Sequence, residues 1–342
     1  MPNLDDRKRR VLAAIVRDYV ETAEPVGSKR LVERHGLAVS SATVRNDMAR
    51  LEEIGLIHQP HTSAGRIPSD TGYRFFVDEL MEIPRLSQRA EALLREHRKT
   101  HGAEIDEILR AVCAILSKIT NYTSVALVPG LHEAELRHIQ VSKVDGNRAV
   151  VILVTDAGHV IHEFIDAGES HTAAEIDVIS SILRRRLSGM RIQDIQAIDV
   201  QHLRAESRIR GLLLEETLRV IGEHLDRRTY QVYIDGTMHI VRQPEFVDVE
   251  RLTRVLEALH TEQQLAALLM SGLAQGGVQV RIGHETKVDD MSDLSLVTAS
   301  YTTGHTRGTV GVVAPTRMDY ERAYAAVALA ASILEKALQS DR

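Results

Sequence analysis

The stretch SSATVRNDMARLEEIGLIHQPHTSAGRIPSDTGYRFFVDEL, residues 40–80, decides the fold of the N-terminal part of the chain. Apolar residues near its start follow at i, i+4 and i+7, namely Val44, Met48 and Leu51, and this spacing predicts one buried helix face. A serine at position 40 or 41 can cap this helix. Gly55 follows the last apolar position and predicts the end of the helix.

Two further helices are predicted before this stretch. Apolar residues recur at helical spacing over 4–21, and Pro25 biases the residue before it away from helix. A second short helix runs from Ser28, its candidate N-cap, to Gly36. After the third helix, short apolar segments flank the turn-rich tip at 60–65 and predict a β-ribbon. The order helix, helix, tight turn, helix and ribbon is typical of a winged helix-turn-helix.

A winged helix-turn-helix binds double-stranded DNA with its third helix in the major groove. On that helix, arginine can pair with guanine and asparagine with adenine, and hydroxyls at the helix start can reach phosphates. We expect Ser41, Thr43, Arg45, Asn46 and Arg50 to contact the operator, and Arg66 with Lys29 to contact phosphates. The full set of candidate DNA-binding residues is Lys29, Arg30, Ser40, Ser41, Thr43, Arg45, Asn46, Arg50, His61, Thr62, Ser63 and Arg66.

The alternatives to DNA binding in this region are an ordinary polar surface helix and a solvated turn. The net charge does not distinguish DNA binding from these alternatives. Residues 1–85 carry 13 Lys+Arg and 13 Asp+Glu, net 0, whereas the whole chain carries 42 and 48, net −6. DNA affinity must therefore come from arranged charges and from two copies binding together. The basic residues at 7–10 can lie near DNA or form a solvated face. We expect a strong salt dependence.

Composition excludes several other classes of protein. The 342 residues predict two or three domains. The absence of Trp and the 4% aromatic content argue against a stacking platform for single-stranded nucleic acid. A single cysteine, Cys113, excludes an internal disulfide framework and a multi-cysteine zinc site, and it fits a reducing compartment. Neither a signal peptide nor an 18-residue apolar run is found, so a cytoplasmic protein is predicted.

The rest of the chain is predicted as helices followed by a mixture of strands and helices. A helix begins near Ser69 and breaks at Pro84, and 86–116 is interpreted as connecting helices, with a packing face for a partner copy or as a solvated linker. Strands at 123–165 and 278–313 are able to form one split sheet, although independent domains would give the same pattern. The predicted strands are 123–128, 135–141, 149–155, 160–165, 230–234, 239–241, 278–282, 294–301 and 309–313. Of these, 230–234 and 239–241 are predicted to form a hairpin. The further predicted helices are 173–187, 203–226, 248–260, 262–270 and 319–339.

No enzyme chemistry is predicted, and neither a cofactor nor a metal is expected. His159 and His162 lie near Glu163, but ordinary strand and turn histidines fit this pattern better than a metal site. The segment GHTRGTVG at 304–311 lacks phosphate-loop spacing and predicts a turn into a strand. Cys113 lies in an apolar helical segment, which favours a buried structural thiol over a redox sensor.

The segment at 40–80 resembles the signature of HrcA, the heat-inducible transcription repressor family of bacteria. VGSKRL at 26–31, IGHE at 282–285 and GVVAPTRMDYERA at 311–323 fit the pattern of the same family. The resemblance spans nearly the full chain, and in the middle, about 170–250, it rests mainly on the layout of the elements.

This resemblance implies a homodimeric repressor that binds the CIRCE inverted-repeat operator upstream of the groE and dnaK chaperone operons, with GroEL keeping the repressor active. It also implies an α+β fold with an N-terminal winged helix-turn-helix and a GAF-like α/β domain into which a dimerising domain is inserted. The domains expected are 1–80 for DNA binding, 81–120 for connecting helices, 121–170 and 250–342 for the split GAF-like domain, and 171–249 for the inserted dimerising domain.

Two alternatives stay open at this point. A metabolite-responsive winged-helix repressor would bind an effector in the GAF-like domain, as many domains of that kind do, and this rests on fold analogy alone. An enzyme fused to a DNA-binding domain is the other, and the chain carries no paired carboxylates, nucleophile motif or metal spacing that would support it.

Overall fold

The computed structural model mixes helices with antiparallel sheets, in agreement with the α+β class. It describes residues 2–62, 64–96, 105–129, 134–156, 159–167, 172–195, 216–219, 230–273, 276–303 and 306–339. Within these ranges, no helix is long and apolar enough to cross a membrane. Most of the predicted 203–226 helix lies outside the described residues, and 216–219 are helical.

The N-terminal module consists of four helices and a two-stranded ribbon. The helices are α1 (Asp6–Thr22), α2 (Ser28–His35), α3 (Ser41–Glu53) and α4 (Asp70–Glu79), and the ribbon is formed by β1 (Ile57–His58) and β2 (Ile67–Pro68).

Side-chain caps fix the starts of three of these helices. Asp5 accepts from the backbone N–H of Lys8 at 2.9 Å, and Ser40 and Ser69 accept in the same way at the starts of α3 and α4. The expected cap of α2 is corrected: Gly27 occupies the N-cap and makes no side-chain bond, because Ser28 is already helical and buried. Gly36 ends α2 at a φ of 59°, as predicted.

A five-stranded antiparallel sheet forms the centre of the remaining chain. Its strand order is β7-β3-β10-β9-β8, so β3 lies between two strands that follow it by more than 100 residues. The strands are β3 (Thr123–Pro129), β7 (Tyr230–Asp235), β8 (Val278–Ile282), β9 (Leu294–Thr303) and β10 (Thr306–Pro315).

Helices cover both faces of this sheet. Ala126 and Val128 point towards the cluster formed with α5 (Gln88–Glu96), α6 (Ile105–Thr120) and α12 (Tyr320–Gln339). Val125 and Leu127 alternate to the other face, where α9 (Met238–Val241), a short 3-10 turn, α10 (Val249–His260) and α11 (Glu262–Met270) pack. We call this sheet with α6 and α12 the body.

A separate three-stranded sheet has the order β4-β5-β6 and its own apolar core. It comprises β4 (Leu136–Asp145), β5 (Arg148–Thr155) and β6 (Val160–Asp166), with α7 (Ala173–Leu187) and α8 (Ile192–Ile195) beside it. The expectation of one sheet from 123–165 and 278–313 is therefore wrong for 135–165. Of the strands before residue 166, β3 is the one that pairs with β10.

The predicted hairpin around Asp235-Gly236-Thr237 is also wrong. Residues 238–241 form the one-turn helix α9, since the N–H groups of His239 and Ile240 bond back to the carbonyls of Gly236 and Thr237. Ile240 is thereby buried against the sheet, and β7 pairs with β3 instead of with 239–241.

Candidate nucleic-acid interface

Helix α3 presents one apolar and one polar face, as its spacing predicts. Val44, Met48 and Leu51 are buried, and Arg45 and Asn46 are exposed on the other side. Ser40 caps the first turn through the N–H of Thr43 at 3.1 Å, so the start of the helix is fixed and its remaining N–H groups can meet an anion.

An ion pair with a buried carboxylate, which sequence reasoning missed, holds α3 against α1. Asp47 is buried, and both of its carboxylate oxygens accept from Arg7, at 2.7 and 3.1 Å. Arg7 therefore fixes the position of α3 and is not simply part of a solvated face. Asp47 lies three residues after Val44 and four before Leu51, on the buried face, but the sequence does not show its partner, which lies 40 residues earlier.

The predicted phosphate contacts on α2 differ in their surroundings. Arg30 lies 2.7 Å from the buried carboxylate of Asp18 and 3.0 Å from Glu24. Arg34 donates to the same Asp18 at 2.7 Å, so two guanidinium groups surround one buried charge. The side chain of Lys29 is 86% exposed, and its nearest carboxylate, on Glu33, is 3.9 Å away.

The ribbon is anchored at its base by backbone pairing with the segment before α2. Val26 and Arg66 exchange two backbone hydrogen bonds of 2.9 Å, and the guanidinium of Arg66 lies 2.9 Å from Glu52 on α3. A Cβ at Gly65 would lie 2.4 Å from the Val26 carbonyl oxygen, so only glycine allows this approach. Arg66 thus joins the ribbon to α3.

The tip of the ribbon is organised by Gln59, which the list of candidates omitted. Its side-chain amide donates to the carbonyls of Thr62 and Ala64, at 2.9 and 2.8 Å. His61 and Thr62 are exposed at this tip, and Ser63 lies outside the described residues. An amide that closes a turn has no fixed sequence pattern, so the position of Gln59 before Pro60 was the sequence feature that pointed to this role.

The exposed cations of α3 are the ones most available to a ligand. Among the described residues no ion pair involves Arg45. Arg50 pairs with Glu53 at 2.7 Å, but both side chains are largely exposed, and such a pair is weak. Thr43 is half-buried, with its hydroxyl 3.0 Å from that of Ser40.

The other groups weighed for chemistry, Cys113 and His159, are outside the N-terminal module. Burial raises the pKa of the Cys113 thiol to about 12, so the thiol stays protonated at neutral pH. Burial also lowers the pKa of His159 below its usual range. In the part of the chain that the structure describes, no three His, Cys, Asp or Glu residues are placed to hold a metal ion.

The chain is similar to known proteins over nearly its whole length. Residues 106–323 match the family model described as HrcA protein C terminal domain. The chain is 38% identical to the heat-inducible transcription repressor HrcA of Pelotomaculum thermopropionicum, covering 98% of this chain and 97% of the relative. It is 36% identical to the protein of that name from Geobacter sulfurreducens, over the whole of both chains. A crystal structure of a hypothetical protein, 26% identical, superposes with a TM-score of 0.71 over 99% of this chain and 100% of that chain.

Proposed function

The chain belongs to the HrcA family of heat-inducible transcription repressors, and we propose that it represses the groE and dnaK chaperone operons by binding the CIRCE inverted repeat as a homodimer. The exposed face of α3 carries the DNA-binding part of this proposal. Arg45 and Asn46 have the hydrogen-bonding groups that distinguish guanine and adenine, and they lie on a capped helix with its apolar face buried.

The packing around α3 supports a winged helix-turn-helix arrangement. Helix α2 packs against α3, and the ribbon is attached beside both through Val26 and Arg66. In this arrangement α3 enters the major groove while α2 and the ribbon lie over the phosphates. Lys29, His61 and Thr62 are exposed enough to contact phosphate oxygens, whereas Arg30 and Arg66 would have to exchange a carboxylate for DNA.

The outer face of the three-stranded sheet supports the homodimer. Helix α7 covers one face of this sheet, and the other carries Val150, Ile152 and Val154 on its central strand. Phe164 stands opposite Val150 on β6 and is 57% exposed. Gln140, Ser142 and His162 flank this apolar stripe on the neighbouring strands. An exposed apolar stripe with a polar rim is typical of a surface that a partner covers, and a second copy would bring two copies of α3 to the two half-sites of an inverted repeat.

The division into domains follows the same reasoning and remains a proposal. Residues 1–80 bind DNA, 81–120 connect, and the five-stranded sheet with its helices is the GAF-like domain. The topology favours an inserted dimerising domain that already includes β4–β6, because these strands share a core with α7 and not with the five-stranded sheet.

Family membership supports the remaining parts of the proposal. GroEL keeps the repressor active, and heat-damaged protein that occupies GroEL leaves the repressor inactive and the chaperone genes expressed. A repressor of this kind acts on the chromosome in the cytoplasm and performs no catalysis of its own.

Equilibrium binding to DNA tests the proposal. The full-length chain is titrated with a duplex carrying the inverted repeat and with a scrambled duplex of equal length and composition, at fixed salt, over a range of temperatures, with and without chaperonin. We expect selective binding that fades with heat and is recovered with chaperonin. Equal affinity for both duplexes would contradict the DNA-binding proposal. Selective binding that is indifferent to chaperonin would contradict the proposed regulation and favour control by a small ligand.

A further inference from the structure

Helix α4 is attached directly to the end of α3. The hydroxyls of Ser69 and Thr71, at the start of α4, both donate to the carbonyl oxygen of Gly55, at 2.6 and 2.8 Å. A Cβ at Gly72 would lie only 1.9 Å from the carbonyl oxygen of Leu56, so the first turn of α4 presses against the turn that ends α3. The two helices therefore form one unit, and a rotation of α4 rotates α3.

The other side of α4 is held by the segment 280–285 of the body. Arg74 donates to both carboxylate oxygens of Glu285, at 2.8 and 2.5 Å, and to the carbonyl of Val280 at 2.6 Å. Asp70 accepts from the backbone N–H of His284 at 3.3 Å. We call Asp70, Arg74, His284 and Glu285 the α4 clamp.

The groups of the clamp are themselves held in place. The carboxylate of Glu285 accepts from the N–H of Ile282 at 2.9 Å, and Arg74 also donates to Asp78 at 3.0 Å. Gly283 has a φ of 51°, and a Cβ there would lie 2.3 Å from Asp70. Bidentate arginine–carboxylate pairs are directional, so this geometry fixes an orientation as well as a distance.

Further contacts prevent the N-terminal module from pivoting about the clamp. Tyr73 of α4 and Tyr320 of α12 are buried against each other, with ring centroids 5.5 Å apart. Arg17 of α1 donates to Glu321 of α12 at 2.8 Å. Arg317 of the body donates to the carbonyl of Val20 at 2.6 Å. Attachments at three separate places define the orientation of one rigid element relative to another.

We propose that the α4 clamp sets the orientation of α3 relative to the body and thereby determines which separation of two operator half-sites the protein accepts. Arg74 and Glu285 are then specificity-determining residues that act by position, with no contact to DNA. This inference rests on the proposed function, because it requires two copies on an inverted repeat. A 5-base-pair insertion turns one half-site by about half a helical turn. A rigidly held α3 cannot follow that rotation, whereas a tethered one can, with a loss of effective concentration.

The first experiment measures binding to duplexes with the original spacing and with a 5-base-pair insertion. We expect the wild type to prefer the original spacing by on the order of tenfold or more. R74E places two carboxylates together and removes one of the three attachments, so it should weaken binding to the original duplex and reduce the preference between the two duplexes by about threefold or more. The charge swap R74E/E285R should restore part of the preference, because it re-forms the ion pair but loses the bond to Asp78 and the acceptor of the Ile282 N–H. R307E, which reverses an exposed arginine of β10 away from the clamp, is the matched control and should behave as the wild type.

The second experiment needs no DNA, so it separates a failure of the clamp from a failure of the proposed function. Calorimetric unfolding of the full chain should give the N-terminal module and the body one shared transition in the wild type. R74E should lower the temperature of this transition without dividing it, because Tyr73, Arg17 and Arg317 still attach the module, and the charge swap should recover part of the loss. If R74E does not fold, E285Q, which removes one charge and keeps the shape, is measured in both experiments.

A folded clamp variant that prefers the original spacing as strongly as the wild type does would overturn the inference. An unfolding profile that R74E leaves unchanged would overturn it as well. A charge swap that restores neither property even in part would also overturn it. A wild type that binds neither duplex would contradict the proposed function, while the unfolding experiment would still test the attachment of α4.

Discussion

Helices α2 and α3 each carry two arginines, and the structure surrounds the two pairs in opposite ways. Arg30 and Arg34 on α2 both contact the buried carboxylate of Asp18, at 2.7 Å each. On α3, Arg45 has no ion pair among the described residues, and Arg50 has only an exposed neighbour in Glu53. The same residue type therefore holds the module together on one helix and is left available to a ligand on the next.

Whether a cation in a candidate DNA-binding motif is available to DNA therefore depends on its carboxylate partner. A buried carboxylate such as Asp18 is strongly unfavourable unless cations compensate it, so its arginines are structural residues first. An exposed arginine gives up few interactions within the protein when it moves from water to a base or a phosphate. The comparison thus predicts separate effects on stability and on DNA binding.

The largest effect is expected from removing both arginines of α2. Arg30→Ala combined with Arg34→Ala leaves Asp18 buried without its two guanidinium partners. The free energy of unfolding should fall by about 3 kcal/mol, the low end for a broken buried pair because both arginines are partly exposed. Urea unfolding measures this loss. Lys29→Ala, on the same helix and highly exposed, is the matched control, and an equal stability of the two variants would remove the structural role assigned to α2.

Substitutions on α3 should give the opposite result. Arg45→Ala or Asn46→Ala should each weaken operator binding by about 1–3 kcal/mol, because a base contact is lost, and leave the unfolding free energy and the dimer unchanged. Fluorescence anisotropy and urea unfolding measure the two quantities, with Arg307→Ala as a control that removes a distant exposed charge. Unchanged binding in both α3 variants would contradict the assignment of this helix to the DNA surface.

A smaller effect is expected at Lys29, the exposed cation of α2. Lys29→Ala should weaken binding to operator and scrambled duplexes alike and reduce the slope of log affinity against log salt by about 1. Titrations at several salt concentrations measure this slope. A loss confined to the operator would mean that Lys29 contacts a base, and an unaltered slope would mean that it contacts no phosphate.

The smallest effect concerns His159, a partly buried imidazole. Burial lowers the pKa of His159, with Asp106 and Asp156 acting in the opposite direction. The unfolded chain then binds a proton at a higher pH than the folded protein does, so the free energy of unfolding should fall as pH drops from about 6.5 towards the lower folded pKa. Unfolding at pH 7.5 and at acid pH compares the wild type with His159→Gln. Parallel pH profiles of the two proteins would contradict this assignment.

The N-terminal module could be predicted closely because local rules specify its elements. Ser40 and Ser69 mark helix starts through bonds within one turn, and Gly36 ends α2 with a positive φ. Val44, Met48 and Leu51 define a face by spacing alone. The body depends on pairing between distant segments. Strand β7 joins β3 across about a hundred residues, and the sequence offers no local reason to prefer that pairing over a hairpin at 230–241.

The candidate site was predictable to the extent that exposure follows helix periodicity. Arg45 and Asn46 lie on the exposed face that their spacing indicates. The partners of Arg30 and Arg66 could not be predicted, because Asp18 and Glu52 lie on other helices and are brought near by packing. Asp47 and Gln59 were missed for the same reason, since their bonds depend on the positions of α1 and of the ribbon tip.

The measurement that tests the central claim most directly is the base-pair preference of Arg45→Ala. Operator duplexes that differ by one base pair in each half-site are titrated with the wild type and with the variant. We expect the variant to lose discrimination at one base pair, by about 1–3 kcal/mol, and to keep it at distant positions. Equal discrimination by both proteins at every position would contradict the claim that the exposed face of α3 contacts the bases.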